Sequence, residues 1–356
     1  MAELLKTPLH ERQQALGSRN VGFCGWDMPI QYAGIIAEHK ACREDVALFD
    51  TSHMGEFFFE GDIIASGMNE ATTIDIDALP VGKCKYGFLL NDAGGVIDDL
   101  IVYRLGEQSL MIVVNAARRE TDLYSFRDRM GSGVMHDRSE AYAKLDLQGP
   151  NAIKILQPYF DLDLSEMGFF SFVQTEIFGE PCLLSRTGYT GELGFELYVD
   201  GTTSVRVWDA LIADGVTPAG LGARDALRLE MGYSLYGNDL SETITPLEAN
   251  LGMFVNLGRD YIGVDALREQ KEAGVTRLLM PFKTTGRRSA RKDFEVYQND
   301  RRVGIVTSAA FSPTLNVGIG LAMIDLEGFD RDAGIALRDS RGAIEAHIAS
   351  LPFIKK

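Results

Sequence analysis

The chain has 356 residues, more than one hydrophobic core usually serves, so two or three packed domains are expected. It is 46% hydrophobic and 24% charged, a balance typical of a globular protein rather than of a disordered chain. Its net charge of −16 opposes binding to a phosphate backbone, so no nucleic-acid partner is expected.

Residues 9–130 predict a mixed α/β unit with adjacent antiparallel strands. Helical character is read in four segments: residues 9–19, 35–50, 63–72 and 118–130. Apolar runs bounded by turn residues predict four strands: residues 55–61, 85–91, 96–105 and 109–115. The turn DAGG joins the second of these strands to the third.

Two further structural blocks are predicted after residue 130. A second α+β block begins near residue 141 and contains AYAKLDLQGPNAIKIL and a helix around SVRVWDALIADG. From about Arg277 onward, short strands of even spacing predict a small β-barrel or sandwich. We therefore predict a domain boundary near Gly274.

Cysteine usage and the amino-terminal residues bear on location. The four cysteines lie far apart without a C-x-x-C pair: Cys24, Cys42, Cys84 and Cys182. The opening MAELLKTPLHERQ lacks the apolar core of a secretory signal, and no apolar span of 18 residues occurs. We therefore expect reduced thiols, a cytoplasmic location and no membrane contact.

Common catalytic signatures do not occur in the sequence, which has no P-loop, no H-E-x-x-H and no G-x-S-x-G. AGLGARD, residues 219–225, half matches a dinucleotide-binding loop but lacks its third glycine. The histidines occur singly, which does not favour a metal site: His10, His39, His53, His136 and His347.

Two polar segments near glycines have the composition of a ligand site. RTGYTGELGFELYV, residues 186–199, places glycines beside Tyr189 and Glu196, where glycine permits turns and close approach of the backbone to a ligand. The alternative is a β-hairpin whose glycines serve only its turns. In residues 220–240, Arg224 and Arg228 are four residues apart and share a helix face if the stretch is helical. An arginine there could pair with a carboxylate of the protein or with one of a ligand.

Nine segments, taken in order, give the chain a resemblance to the aminomethyltransferase (T-protein) family of the glycine cleavage system over nearly its whole length. One such segment is weakly specific, whereas nine in the family's order are highly specific. They are TPLHERQQALG, FCGWDMPIQY, GIIAEHKACREDVALFDTSHMGEF, GKCKYGFLLNDAGGVIDDLIVYR, LDLQGPNA, SRTGYTGELGFELYV, GLGARDALRLEMGYSLYGNDL, TPLEANLG and GIVTSAAFSPTL.

The resemblance implies an α+β fold, with two mixed α/β domains and a C-terminal small β-barrel forming a three-domain ring. The implied domains are residues 1–50 with 140–240, residues 51–139 with roughly 241–274, and residues 275–356. Tetrahydrofolate is the implied co-substrate, lipoylated H-protein is the implied partner, and no metal is expected. The implied reaction moves the methylene of the aminomethyl group on the H-protein's lipoyl arm to tetrahydrofolate, releasing ammonia and forming 5,10-methylenetetrahydrofolate.

Two adjacent aspartates interrupt the predicted strand VIDDLIVYR. Alternate side chains of a strand share a face, so Asp99 and Tyr103 point one way and Asp98 the other. The family pattern, anchored on Tyr86, puts the folate-contacting carboxylate at Asp99 and leaves Asp98 as a solvent, capping or salt-bridge residue. A carboxylate there would orient the pterin, stabilise developing positive charge and accept a proton. Without the family pattern, the two aspartates indicate only an exposed pair at the entrance of a strand.

Other residues match folate contacts of the family. Glu196 matches the acceptor for the aminopyrimidine edge of the pterin, and Arg228 matches an arginine that reaches the ligand's polar groups. Arg224 lies close enough in the motif to take that role instead. Arg291 resembles the arginine near the glutamate tail of folate. The remaining matches are aromatic or apolar and would also fit a core: Tyr86, Tyr103, Tyr189 and Met54.

Several positions depart from the family pattern. Arg118 stands where asparagine is common, and Met253 stands where tryptophan is frequent. These departures concern the folate channel rather than the type of reaction. A basic cluster suits a polyglutamate tail or an acidic carrier, although a solvated run of charge fits it equally well: Arg287, Arg288, Arg291 and Lys292.

Two alternative functions share the folate motifs. One is another folate-dependent methyl or methylene transferase, such as a demethylase that takes methyl from sulfur or oxygen donors. The other is a non-catalytic folate-binding module like the iron–sulfur assembly relatives, whose K-G-C-[FY]-x-G-Q-E signature does not occur here. Activity with lipoylated H-protein distinguishes the first alternative, and an Asp99→Asn variant that keeps its biological role would identify the second.

Overall fold

The computed structural model describes residues 3–355, so Met1, Ala2 and Lys356, which belong to the predicted first and third domains, lie outside the described residues. The α-helices are α1 His10–Ala15, α2 Ile35–Glu44, α3 Met68–Ala71, α4 Arg119–Arg129, α5 Ala152–Leu156, α6 Gly201–Ala213, α7 Leu221–Met231 and α8 Val264–Ala273. The strands are β1 Arg19–Phe23, β2 Trp26–Gln31, β3 Ala47–Asp50, β4 Gly55–Glu60, β5 Cys84–Leu90, β6 Val96–Arg104, β7 Ser109–Val114, β8 Val134–Asp137, β9 Ala143–Gln148, β10 Phe172–Ile177, β11 Glu180–Ser185, β12 Gly194–Val199, β13 Thr217–Ala219, β14 Arg277–Thr284, β15 Glu295–Gln298, β16 Arg301–Ser312, β17 Val317–Asp325, β18 Ile335–Asp339 and β19 Gly342–Ile348.

Two compact units divide the chain. The first unit runs up to Tyr86 and continues with Leu100–Arg224, and the second consists of Gly87–Asp99 with the residues from Asp225 onward. The division passes through β5, β6 and α7. The three-domain division expected from the family stays a prediction. Within residues 3–355, no helix is long and apolar enough to cross a membrane.

A six-stranded sheet of order β10-β11-β12-β9-β3-β13 forms the centre of the first unit. One face of its central strands packs into a hydrophobic core that includes Leu145, Leu147, Phe195 and Leu197. Helix α6 covers this core with the fully buried Trp208. Because side chains alternate along a strand, the opposite face of β9 and β12 presents the polar residues between these apolar ones.

A five-stranded sheet has the order β5-β6-β7-β4-β8 and carries the doubled aspartate on β6. The strands predicted over residues 55–61, 85–91, 96–105 and 109–115 are confirmed to within one residue at each end. In the second unit, β14-β17-β16-β15-β18-β19 close into a barrel around a core that includes Phe282, Val296 and Leu337. The predicted α+β class with a C-terminal small β-barrel is therefore confirmed.

One predicted helix is wrong at its carboxyl end. The helix expected over residues 35–50 ends at Glu44, and Ala47–Asp50 form β3, which pairs antiparallel with β9 and parallel with β13. All four residues of β3 are buried. A short apolar run satisfies helical spacing and a buried strand equally well, and pairing on both sides decides for the strand.

Two other predicted helices are shorter than expected. The helix expected over residues 9–19 is confined to His10–Ala15, and Gly17 follows with a φ of 76°. The helix expected over residues 63–72 is confined to Met68–Ala71, directly after Gly67 with a φ of 79°. Glycine adopts this left-handed conformation without the steric cost that other residues incur, so it commonly marks a helix end.

Candidate active site

The polar face of β9 and β12 forms a buried cluster of charged side chains in the first unit. Lys144 and Asp146 on β9 stand directly opposite Tyr198 and Glu196 on β12. Two carboxylates facing each other across a strand pair repel unless cations lie between them. Lys144 supplies one cation, with its Nζ 2.7 Å from Glu196 Oε1 and 3.5 Å from Asp146 Oδ1. The strand register therefore fixes an ion-pair network rather than a single contact.

Glu196 collects hydrogen bonds on both of its oxygens. Its Oε1 accepts from Lys144, and its Oε2 accepts from Thr187 Oγ1 at 2.6 Å, from Tyr198 Oη at 3.1 Å and from Tyr103 Oη at 3.3 Å. Burial, followed by the charge of Glu196, raises the pKa of both tyrosines well above its ordinary value. The two hydroxyls therefore stay protonated and serve as donors to the carboxylate.

Arg224 gives the cluster its second cation. Its Nη1 donates to Asp146 Oδ2 at 2.6 Å, and its guanidinium lies 4.9 Å from the centre of the Tyr189 ring. Burial alone would raise the pKa of Asp146, but Lys144 and Arg224 together lower it below its ordinary value. Arg224 thus joins Tyr189, on the loop before β12, to the buried charges of the sheet.

Two glycines of residues 186–199, Gly188 and Gly194, pack against a protein side chain. A Cβ at Gly188 would lie 2.2 Å from Gln148 Oε1, and a Cβ at Gly194 would lie 2.4 Å from Gln148 Cδ. Gln148 also donates to Thr187 O and accepts from Thr190 Oγ1. The two strands flanking this loop pair antiparallel, so the segment is a β-hairpin, and the ligand role of Tyr189 and Glu196 stays a prediction. Gln148 holds the loop that carries Tyr189.

The segment before β4 borders the same cluster. Lys144 Nζ lies 3.6 Å from Met54 Sδ, and Met54 packs with Tyr103 and Tyr198 in an apolar group. His53 is buried, and its ring meets Phe23 edge-on with the ring centres 5.5 Å apart. Burial, with smaller effects of Arg224 and Lys144, lowers the pKa of His53 to about 3. His53 is therefore a neutral imidazole beside the cations.

Of the two adjacent aspartates, Asp98 is fully buried and Asp99 is half-buried. Of the solvent, capping and salt-bridge roles expected for Asp98, the solvent role is therefore wrong, and the other two stay predictions. Leu100 and Val102, which share the strand face of Asp98, are buried at 2% and 0% exposure. Ile101, on the face of Asp99, is half-buried. The buried neighbours of Asp98 place it on a packed face, whereas Asp99 and Ile101 are partly exposed on a face whose other residues, Ile97 and Tyr103, are buried. Tyr86, on β5, is also half-buried.

Arg228 lies in the second unit, at the centre of a different buried network. Its guanidinium donates to Asp225, to Asp239 at 2.9 Å, to Tyr233 O and to Ser308 Oγ, and the residue is 1% exposed. Asp239 is fully buried and also accepts from Thr307 and Ser308. These contacts account for the burial of Arg228 without a ligand.

The basic cluster of residues 287–292 lies before β15 in the second unit and is exposed at its four cations, Arg291 included. Lys292 and Arg287 contact other residues of the protein. Lys292 Nζ donates to Gly237 O and Asn238 Oδ1, both at 2.7 Å, and the Arg287 guanidinium lies 5.1 Å from the centre of the Phe311 ring. The folate-tail contact of Arg291 stays a prediction.

The structure joins four predicted site residues through two that the sequence did not single out. Met54, Tyr103 and Glu196 meet at or near Lys144, and Tyr189 meets Arg224, which shares Asp146 with Lys144. Lys144 and Asp146 were missed as site residues. The available signal was the alternation of charged and apolar residues in AKLDL, which gives an otherwise buried strand one charged face.

Comparisons with known proteins show the family of the chain. A family model described as "GCVT N-terminal domain" matches residues 9–259, and one described as "Glycine cleavage T-protein C-terminal barrel domain" matches residues 277–355. The chain belongs to the glycine cleavage T-protein family. "Aminomethyltransferase" of Listeria innocua is 42% identical over 362 residues, covering 100% of this chain and 99% of that one. "Aminomethyltransferase" of Rubrobacter xylanophilus is 42% identical over 357 residues, covering 99% and 95%.

A solved structure of the family agrees in fold. The glycine cleavage system aminomethyltransferase T from Bartonella henselae superposes with a TM-score of 0.93 at 30% identity, covering 99% of this chain and 98% of that one. Membership in the T-protein family makes this protein a transferase enzyme, and it supports the multi-domain α+β fold.

The T-protein motif leaves Arg224 and Arg228 as alternatives, and their contacts predict different effects of substitution. We expect Arg228→Lys to lower the free energy of unfolding by about 1–3 kcal/mol, because an ammonium cannot reproduce the forked hydrogen bonds of the guanidinium. We expect Arg224→Lys to weaken tetrahydrofolate binding about tenfold, because it loses the stacking on Tyr189. Denaturant unfolding and ligand titration measure the two effects, and weaker folate binding only in the Arg228 variant would reverse the assignment.

Proposed function

We propose that the protein transfers the methylene of an aminomethyl group on the lipoyl arm of H-protein to tetrahydrofolate and releases ammonia. The methylene carbon exchanges its bonds to nitrogen and sulfur for bonds to N5 and N10 of the folate. The two protons lost by these folate nitrogens balance the formation of ammonia and the lipoyl thiol. The observation that carries the proposal is the buried Glu196–Lys144 network, in a chain that two models of the family match over residues 9–259 and 277–355.

The first unit offers groups that fit the pterin of tetrahydrofolate. The ring presents amino and amide donors, and Glu196 is a charged acceptor set among hydroxyl groups. Tyr189 offers a flat aromatic face, and Arg224 adds donors beside it. These residues would bind and orient the pterin, and Met54 would give the site an apolar edge.

Asp99 is the proposed catalytic residue. Positive charge develops where the folate nitrogen attacks the methylene, and a carboxylate nearby stabilises that charge and accepts a proton. Asp99 is half-buried and shares a strand face with Tyr103, whose hydroxyl donates to Glu196, whereas Asp98 lies on the opposite face of β6. Tyr86 and Arg291 are proposed as further folate contacts, and a cytoplasmic location remains an expectation from the sequence.

The proposed function is tested by mixing the purified protein with aminomethyl-loaded H-protein and tetrahydrofolate. We expect ammonia and 5,10-methylenetetrahydrofolate to form in equal amounts, because one aminomethyl group supplies both. H-protein loaded with aminomethyl but mixed without tetrahydrofolate is the control. If the protein releases no ammonia but demethylates a sulfur or oxygen donor, it is a different folate-dependent transferase. Folate binding without turnover of either donor would identify a binding module.

A further inference from the structure

Glu56 is a buried acid that the proposed reaction does not use. It lies on β4, where its N–H donates to Ser139 Oγ and its carbonyl accepts from the Arg138 N–H, both at 2.9 Å. Its side chain is 1% exposed. Neither carboxyl oxygen has a hydrogen-bond partner among the described residues. A buried carboxylate without donors is unfavourable, so this arrangement requires a physical reason.

The carboxyl of Glu56 belongs to the face of β4 that borders the charged cluster. Alternation puts Glu56 on the same face as Phe58, and the register sets it opposite Val113 of β7. Phe58 and Val113 both pack in the apolar group of Tyr103, Tyr198 and Met54. Glu56 therefore lies beside the network of Glu196 rather than in a separate core.

The charged and titratable groups that act on Glu56 come from four elements or their ends: Lys144, Arg119, Asp137, Glu196 and Tyr198. Arg119 is already bound, with its Nε 2.7 Å from Asp137 Oδ2. Burial raises the pKa of Glu56 well above its ordinary value, and Lys144 and Arg119 lower it only in part. Burial and the absence of donors to its oxygens therefore both favour the neutral acid form of Glu56.

A neutral Glu56 leaves the charges of the cluster balanced. The cations of Lys144 and Arg224 face the carboxylates of Asp146 and Glu196. Lys144 makes its shortest contact, 2.7 Å, with Glu196, and its contacts with Asp146 Oδ1 and Met54 Sδ are longer, at 3.5 Å and 3.6 Å. An ionised Glu56 would add a third carboxylate and compete for the ammonium of Lys144.

We propose that Glu56 is a positioning residue that, as a neutral acid, leaves Lys144 bound to Glu196, and that its ionisation draws Lys144 away and weakens the binding of a reduced folate. This inference rests on the proposed function, since it assumes that Glu196 and its neighbours bind the pterin. It adds a proton-controlled device to that site. Folate binding is then linked to one proton held on Glu56, a group outside the ligand's own contacts.

The test is the pH dependence of tetrahydrofolate binding to the full chain, measured by titration calorimetry under anaerobic conditions. For the wild type, we expect the affinity to fall by up to about tenfold per pH unit once Glu56 ionises, as linkage to one proton requires. For Glu56→Gln, which has nearly the same shape but cannot ionise, we expect this alkaline fall to disappear. Glu56→Met, also neutral and of similar volume, should behave in the same way and replaces the glutamine variant if that one does not fold.

The matched control is Glu60→Gln, an exposed residue on the same strand, which should keep the wild-type pH profile. Ionisation of the ligand is common to all four proteins and cancels from their comparison. An alkaline fall of equal size in the wild type and in both Glu56 variants overturns the inference, as does its absence from the wild type. Failure of the wild type to bind tetrahydrofolate at neutral pH would instead refute the proposed function.

Discussion

Asp99→Asn is expected to lower the rate of methylene transfer by roughly 10²- to 10⁴-fold, the usual contribution of a positioned acid–base group. The amide keeps the size of the side chain but has neither the negative charge nor the basicity of the carboxylate. We expect the dissociation constant of tetrahydrofolate to change much less than the rate, because the missing interaction strengthens as charge develops. Single-turnover formation of 5,10-methylenetetrahydrofolate and a ligand titration give the two quantities.

Asp98→Asn is the matched control for Asp99→Asn. Asp98 is fully buried, so we expect its amide variant to lose stability and to retain more of the transfer rate per folded molecule. Asp92→Asn, at an exposed position in the turn before β6, should change neither quantity. Equal rate losses for Asp98→Asn and Asp99→Asn would contradict the assignment of the two aspartates to different strand faces.

Lys144→Met is expected to lower the free energy of unfolding by about 3–5 kcal/mol, the usual effect of leaving a buried carboxylate without its cation. Methionine preserves most of the volume, so the loss reports charge rather than packing. Asp146 keeps Arg224, whereas Glu196 keeps only hydroxyl donors. We also expect weaker tetrahydrofolate binding. Denaturant unfolding at neutral pH measures the stability, with the exposed Lys154→Met as the control.

A second substitution tests whether the loss comes from this ion pair. In Lys144→Met with Glu196→Gln, both charges are gone, so we expect the double variant to be more stable than the sum of the two single losses predicts. Strict additivity would mean that the two side chains contribute independently. That outcome would contradict the central role given to the 2.7 Å contact.

The stability difference between Lys144→Met and the wild type should also depend on pH. Burial alone would lower the pKa of Lys144, but Asp146 and Glu196 raise it above its ordinary value. When the folded-state pKa is raised, the charged lysine stabilises the fold fully at any pH below the pKa of the unfolded lysine. This stabilisation is lost as the pH rises through the folded-state pKa. The deficit of the variant should therefore be constant near neutral pH and should narrow in strongly alkaline solution.

The sequence predicted the strand faces of Asp98 and Asp99 but not the burial of Asp98. The alternation in VIDDLIVYR separated Asp98 from Asp99 correctly, because strand geometry depends only on the local backbone. The predicted solvent exposure of Asp98 was wrong, because the burial of a strand face depends on the elements that cover it. The end of α2 shows the same limit, since Ala47–Asp50 became a strand through pairing with distant β9 and β13.

By itself, the sequence determined the α+β class with its C-terminal barrel and four strands of the five-stranded sheet. Through nine ordered segments, it also determined the family. These features follow from local periodicity and from motifs that occur along the chain in the family's order. Only the tertiary structure decided that Lys144 and Asp146 belong with Glu196, that Gln148 holds the Tyr189 loop, and that Glu56 is buried beside them without a donor. The reason is physical: charge pairing and burial are set by strand register between residues far apart in the chain, and the sequence does not state that register.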